Sequence, residues 1–129
     1  MNYKSFEELE IWQKARALCK EVFIATRQSD FSKDYRFVSQ ITASSGSIMD
    51  NIAEGFERGG NKEFIQFLSI AKGSCGEVRS QIYRAFDFGY IDQNTLDTLL
   101  NDVKQLSSGI YFFIQFLKSS ELKGIKYRE

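Results

Sequence analysis

The stretch from Ser39 to Gly76 reads SQITASSGSIMDNIAEGFERGGNKEFIQFLSIAKGSCG, and its pattern decides the fold. On its N-terminal side Val38, Ile41, Ser45, Ile48, Ile52 and Gly55 recur at three- and four-residue steps, the period of one helix face. After Gly59-Gly60 the same spacing resumes with Phe64, Leu68, Ala71 and Cys75, and runs on through Val78, Ile82 and Ala85. Many of the slots hold Ser, Ala or Gly rather than Leu. Small side chains let helix backbones approach closely, so this pattern predicts the packing seam of an α-helical bundle. Gly73 and Gly76 point the same way, since a glycine inside a helix costs about 1 kcal/mol against alanine and usually marks tight packing.

Working outward, helix two spans about Asp34 to Arg58 and helix three about Lys62 to Phe88, with Asn61 as the expected cap of helix three. A first helix runs from about Ser5 to Thr26, Ser5 capping it and Glu7 and Glu8 complementing its dipole. Its main stripe reads as Leu9, Trp12, Cys19, Phe23 and Thr26, widened by Ile11, Ala15, Leu18 and Val22. Asp92 caps a fourth helix, with Ile91 and Leu96 spaced as a hydrophobic staple. Leu96, Leu99, Val103, Leu106, Ile110, Phe113 and Leu117 form its core line. The last turns, Ile110 to Leu117 (IYFFIQFL), are apolar nearly all the way round. Either the bundle covers both sides of that segment or a second chain does. Short connectors make neighbouring helices antiparallel. The predicted fold is therefore all-α, an up-down-up-down four-helix bundle over residues 1–118, followed by a polar, flexible tail over 119–129.

Composition agrees and excludes several functions. The chain has 129 residues, enough for one domain with one core, and no proline, which suits long uninterrupted helices. There is no histidine, so the commonest general base and metal ligand are missing, and no Glu-x-x-His di-iron bundle site can exist. Carboxylates alone, from Asp50, Glu54, Glu57, Glu63 and Glu77, read as a solvated or ion-paired helix face. Thr42, Ser44, Ser45 and Ser47 lack a base and an oxyanion hole and read as packing residues. Asp87-Phe88-Gly89 spells the kinase metal-binding triplet but lies at a helix end with no glycine-rich or catalytic loop elsewhere. We therefore expect no catalytic residues, no metal and no cofactor. No run reaches the roughly 18 apolar residues of a membrane span, and the N-terminus has no apolar signal region, which implies a cytoplasmic protein without a membrane partner. Cys19 and Cys75 read as buried, reduced thiols.

Formal net charge is zero and the pI is about 6.3, so nucleic-acid binding needs a local basic patch or one repeated by symmetry. Lys14, Lys20, Arg58, Lys72 and Arg79 are the candidates for contact with nucleic acid or another partner. Asn51, Glu54 and Glu63 are read as a polar interface network. Tyr111, Phe112 and Phe116 are the candidates for an oligomer interface.

The motifs also carry a resemblance. Phe6 to Ala15 (FEELEIWQKA), Ser39-Gln40, Asn51 to Phe56 (NIAEGF), Glu63-Phe64, Phe67-Leu68, Ile70-Ala71, Gly73-Ser74 and Gly89-Tyr90 keep the order and spacing of bacterial four-helix-bundle proteins first noticed as reading frames in intervening sequences of 23S ribosomal RNA genes. The chain resembles that family over about residues 6–117. The resemblance implies an up-down bundle, a homo-oligomer (a pentameric ring) and no assigned biochemical activity. The fold is also similar to the accessory protein of diversity-generating retroelements, a basic pentamer that binds nucleic acid and a reverse transcriptase. Where many members carry an arginine pair after the Ser-Gln of helix two, this chain has Thr42 and Ala43. Two functions remain open. One is a non-enzymatic, oligomeric RNA-binding or ribonucleoprotein accessory factor. The other is a structural or protein-interaction scaffold with no nucleic acid.

Overall fold

The computed structural model describes the backbone of residues 3–128 and the side chains of residues 3–120. Four helices, α1 (Glu10–Thr26), α2 (Tyr35–Glu57), α3 (Asn61–Asp87) and α4 (Gln93–Arg128), form the predicted bundle. Each helix packs on its sequence neighbours, most extensively α2 on α3, and α1 closes the ring against α4. No strand occurs among the described residues.

Turn chemistry sets the boundaries. Gly59 (φ 84°) and Gly89 (φ 76°) hold the left-handed conformation just past α2 and α3. Asp34 Oδ1 accepts the Phe37 N–H at 3.2 Å and caps α2, and Asp92 Oδ1 accepts the Thr95 N–H at 2.8 Å and caps α4. Asn61, expected as the cap of α3, is instead its first residue; Gly60 takes the extended cap position without a side-chain bond.

The first helix begins differently from its pattern. Phe6–Glu8 form a 3-10 turn, and Leu9 is extended (φ −72°, ψ 125°) before α1 starts. Leu9 is fully buried there, and Phe6 packs edge-on against Trp12 across the break at 5.1 Å. Burying Leu9 and keeping that aromatic contact outweighs one more turn of continuous helix.

Of the main stripe of α1, Leu9 and Thr26 are buried, but its middle lies to one side of the core. Ile11, Ala15, Leu18, Val22 and Ala25 face the core, while Trp12 and Cys19 are half-buried and Phe23 is half-exposed under Arg27. Two interleaved lines had helical spacing, and the one with the smaller side chains is the core line. Cys75 is buried as expected, whereas Cys19 is only partly so; both are free thiols.

On the other helices the expected stripes pack inward. All seven positions of α3 from Phe64 to Ala85 are buried, and so are six of seven on α4, Phe113 being half-buried. Ile48, Ile52, Leu68, Val78, Ile82 and Ile110 lose all solvent contact. Aromatic clusters close both ends. Phe31, Phe37, Phe88 and Tyr90 stack near the start of α2, and Phe56, Phe64, Phe113 and Phe116 near its end.

The small residues act unequally. A Cβ at Gly55 would lie 2.7 Å from Phe67 Cβ, so α2 and α3 cross in close contact there. Gly73 and Gly76 have nothing within 4 Å of an added Cβ and face outward, so neither marks tight packing within the chain. Helical spacing alone could not tell their exposed face from the seam.

The outer side of the late α4 turns is not covered by the other three helices. Ile110, Ile114 and Leu117 are buried, but Tyr111, Phe112 and Phe116 remain 47%, 68% and 51% exposed. The backbone of α4 is helical through Arg128, past residue 119 where the sequence suggests a polar tail. The side chains from residue 121 onward lie outside the described set.

Candidate nucleic-acid interface

Lys72 and Arg79 sit seven residues apart on α3, two turns along one face. Across from them Lys104, Ser107 and Ser108 project from the antiparallel α4. Together these five residues line a groove of about 420 Å³, with Gly76, Cys75 and Val103 completing the lining. Gly76 contributes no side chain, which leaves room between Lys72 and Arg79. No carboxylate lines the groove, and among the described residues none pairs with Lys72, Arg79 or Lys104.

Cys75 reports the local electrostatics. Burial pushes its thiol up from 9.0 to about 12, against the opposing pull of the Lys72 ammonium. Burial thus disfavours the thiolate, and Lys72 beside it lines the groove.

The groove continues past Lys72, Ser107 and Ser108 into a smaller depression of about 200 Å³ bounded by Tyr111 and Phe112. Those two rings pack edge-to-face at 5.4 Å. Three ammonium or guanidinium groups, two hydroxyls and exposed rings can bind phosphates and offer a stacking surface.

The other basic candidates lie elsewhere. Arg58 is held by Glu54 at 3.1 Å and Glu63 at 3.8 Å, with its guanidinium 5.1 Å above the Phe67 ring. These partners tie the end of α2 to the start of α3. Lys14 pairs with Glu10 at 3.2 Å and lies on the wall of a large groove between α1 and α4, alongside Tyr3, Ile11, Phe112 and Phe116. Lys20 is exposed on α1, apart from the α3–α4 groove.

The polar network divides in two. Glu54 and Glu63 meet at Arg58. Asn51 instead donates to Ser47 O at 2.8 Å and Ser47 Oγ at 2.9 Å, and Ser47 Oγ bonds Ser74 Oγ at 3.1 Å. Thr42 and Ala43 are exposed on α2 and line a groove shared with Arg27 of α1. Among the described residues no three Cys, Asp or Glu side chains gather into a metal-binding group, and no helix is long and apolar enough to cross a membrane.

Sequence reasoning missed Lys104, Ser107 and Ser108. On α4 they look like any solvated face; only the register of α4 against α3 places them opposite Lys72 and Arg79.

A four-helix bundle with a cationic groove and an uncovered aromatic face defines a class of small all-α proteins. Within that class the chain belongs to the family described as 23S rRNA-intervening sequence protein, which it matches over residues 7–111. A similar solved structure is that of a protein with unknown function from the S23 ribosomal protein family of Bacteroides thetaiotaomicron VPI-5482. It is 21% identical, covers 81% of this chain and 95% of its own, and superposes with a TM-score of 0.74. At that identity it supports the fold alone. No curated protein matches the chain.

Proposed function

We propose that the protein is a non-enzymatic RNA-binding accessory factor, which holds the phosphate backbone of a single strand in the α3–α4 groove and assembles into a homo-oligomer. The observation that carries this reading is the convergence of Lys72, Arg79 and Lys104 on one groove without a carboxylate in its lining. A net charge of zero is compatible with it because binding follows local field rather than total charge, and symmetry repeats the patch. Phe112 and Phe116 supply the assembly face, with Tyr111 at its border with the groove. The ring of five is taken from the family resemblance.

Titration of a fluorescent single-stranded RNA at two salt concentrations tests the groove. Three phosphate contacts per subunit give a log–log salt slope of about −2, steeper if several subunits bind one strand. The double variant Lys72→Glu, Arg79→Glu is expected to weaken binding at least tenfold, and Lys20→Glu far less. Binding that ignores salt, or that survives the double reversal, removes the electrostatic mechanism.

The exposed aromatic face together with the neutral charge favours a second reading, a protein-interaction scaffold. Recovery of a defined protein partner that survives nuclease treatment, from a chain that does not bind RNA, would decide for it.

A further inference from the structure

On the side of α3 roughly opposite the cationic groove, Glu77, Gln81 and Arg84 follow one another at four- and three-residue steps and share a face. With Gln40, Ser44 and Ser47 of α2 they line a polar groove of about 440 Å³, within the range of about 300–1,000 Å³ usual for small-ligand pockets.

Gln81 is the anomaly of this groove. Its side chain is 4% exposed, and its Oε1 is buried without a hydrogen-bond partner. An unsatisfied buried acceptor costs about 1–3 kcal/mol. The serines do not relieve it: Ser44 Oγ bonds Gln40 O at 2.9 Å, and Ser47 Oγ is engaged by Asn51 and Ser74. Gln81 lines the groove and the last torsion of a glutamine is broad, so binding would turn Oε1 toward the ligand by rotation about it.

The neighbours of Gln81 narrow the ligand chemistry. Glu77 adds a second acceptor one turn away. Arg84 adds donors, its guanidinium carbon lying 4.5 Å from the Phe37 ring centroid in a cation–π contact. The face therefore reads acceptor, acceptor, planar donor over roughly 10 Å of helix. A guanine base complements that order. Its N1–H and N2–H₂ donate to the Glu77 carboxylate and Gln81 Oε1, and its O6 and N7 accept from an arginine. Adenine would turn its N1 lone pair toward the carboxylate, and uracil brings a single ring N–H to two acceptors.

We propose that the α2–α3 groove is a guanine-binding site, with Gln81 and Glu77 as its acceptors and Arg84 as its donor. It is independent of the α3–α4 phosphate groove, so either can fail without the other.

The experiment is calorimetric titration of the intact chain with guanosine, adenosine and uridine 5′-monophosphates. Guanosine monophosphate is expected to bind at least tenfold more tightly than the other two. Gln81→Leu is expected to hold or raise the unfolding midpoint of the free protein, because it removes the orphaned acceptor, and to lose at least tenfold in guanosine monophosphate affinity. Glu77→Gln, at an exposed position, keeps the test open if Gln81→Leu does not fold, and is expected to lose affinity likewise. A single-stranded RNA with one guanosine, compared with one lacking it, separates the two sources. A gain in the oligonucleotide indicates a base within RNA, and binding of the mononucleotide alone indicates a free nucleotide. No binding of any of these, equal affinity for all three monophosphates, or unchanged affinity in both variants would overturn the assignment.

Discussion

The Tyr90 hydroxyl donates a 2.7 Å hydrogen bond to Asp34 Oδ2, joining the α3–α4 turn to the start of α2 across 56 residues. The same carboxylate caps α2 through its other oxygen, and the Tyr90 ring stacks on Phe31 at 5.0 Å. One aspartate thus serves both a helix terminus and a tertiary clasp. Asp34→Ala should cost about 1 kcal/mol through the lost cap, before the loss of the Tyr90 bond is counted. Asp34→Asn, which can still cap, should cost less. Urea unfolding of the three proteins checks the order.

The clasp also predicts an alkaline limit. The hydrogen bond to Asp34, its negative charge and partial burial raise the Tyr90 phenol above its ordinary 10.0. Folding therefore favours the neutral phenol. This contribution is complete below pH 10 and is lost as the pH climbs through the raised value. Asp92 has the opposite sign. Bonds from the Thr95 N–H and hydroxyl hold its carboxyl below the ordinary 3.8, so its contribution is present above that value and lost as the pH falls through the lowered one. Ultraviolet titration of tyrosinate in wild type and Tyr90→Phe should show the missing phenol titrating above 10.0. An unchanged curve at its high-pH end would count against the bond.

Two glycine substitutions should act in opposite directions. At Gly55 a methyl group would meet Phe67 Cβ at 2.7 Å and Phe64 Cδ1 at 3.0 Å. Overpacking of that kind costs about 1–3 kcal/mol, more than the roughly 1 kcal/mol of helix propensity gained. Gly73→Ala meets nothing within 4 Å and should stabilise by about 0.5–1 kcal/mol. Denaturant midpoints of both variants decide. A stabilising Gly55→Ala would show that α2 and α3 do not cross as closely as described.

The two thiols should differ in reactivity. Cys75 is buried and its thiol is pushed up to about 12, whereas Cys19 is partly accessible. An aromatic disulfide reagent at pH 8 should modify Cys19 in the folded protein and Cys75 only after unfolding. Holding Cys75 neutral stabilises the fold below pH 9 and less as the pH approaches 12.

The uncovered α4 face should govern assembly. Phe112→Ser combined with Phe116→Ser removes most of the exposed apolar area there and leaves the buried Ile110, Ile114 and Leu117 untouched. Light scattering should show the wild type as an oligomer and the double variant as a folded monomer. A wild type that stays monomeric at micromolar concentration would refute self-association by this face.

Much of the bundle was legible in the chain. The stripes of α2, α3 and α4, the stops at Gly59 and Gly89 and the cap at Asp92 are local properties, because a 3.6-residue period and a short polar side chain act within a turn or two of themselves. The break at Leu9 was not legible, since burial and the Phe6–Trp12 contact override local propensity. Nor was the phase of α1, where two lines of similar spacing compete and only the shape of the neighbouring helices selects Ile11, Ala15 and Leu18.

The sites divide in the same way. The chain alone marks Lys72 and Arg79 as sharing a face, and IYFFIQFL as too apolar for one buried side. Which residues stand opposite depends on the register and crossing of antiparallel helices. Those are set by how whole side-chain surfaces interlock, as where Gly55 admits Phe67. That packing places Lys104 across from Arg79, pins Arg58 between two glutamates, and leaves Gln81 buried beside Glu77 and Arg84 without a partner for its oxygen.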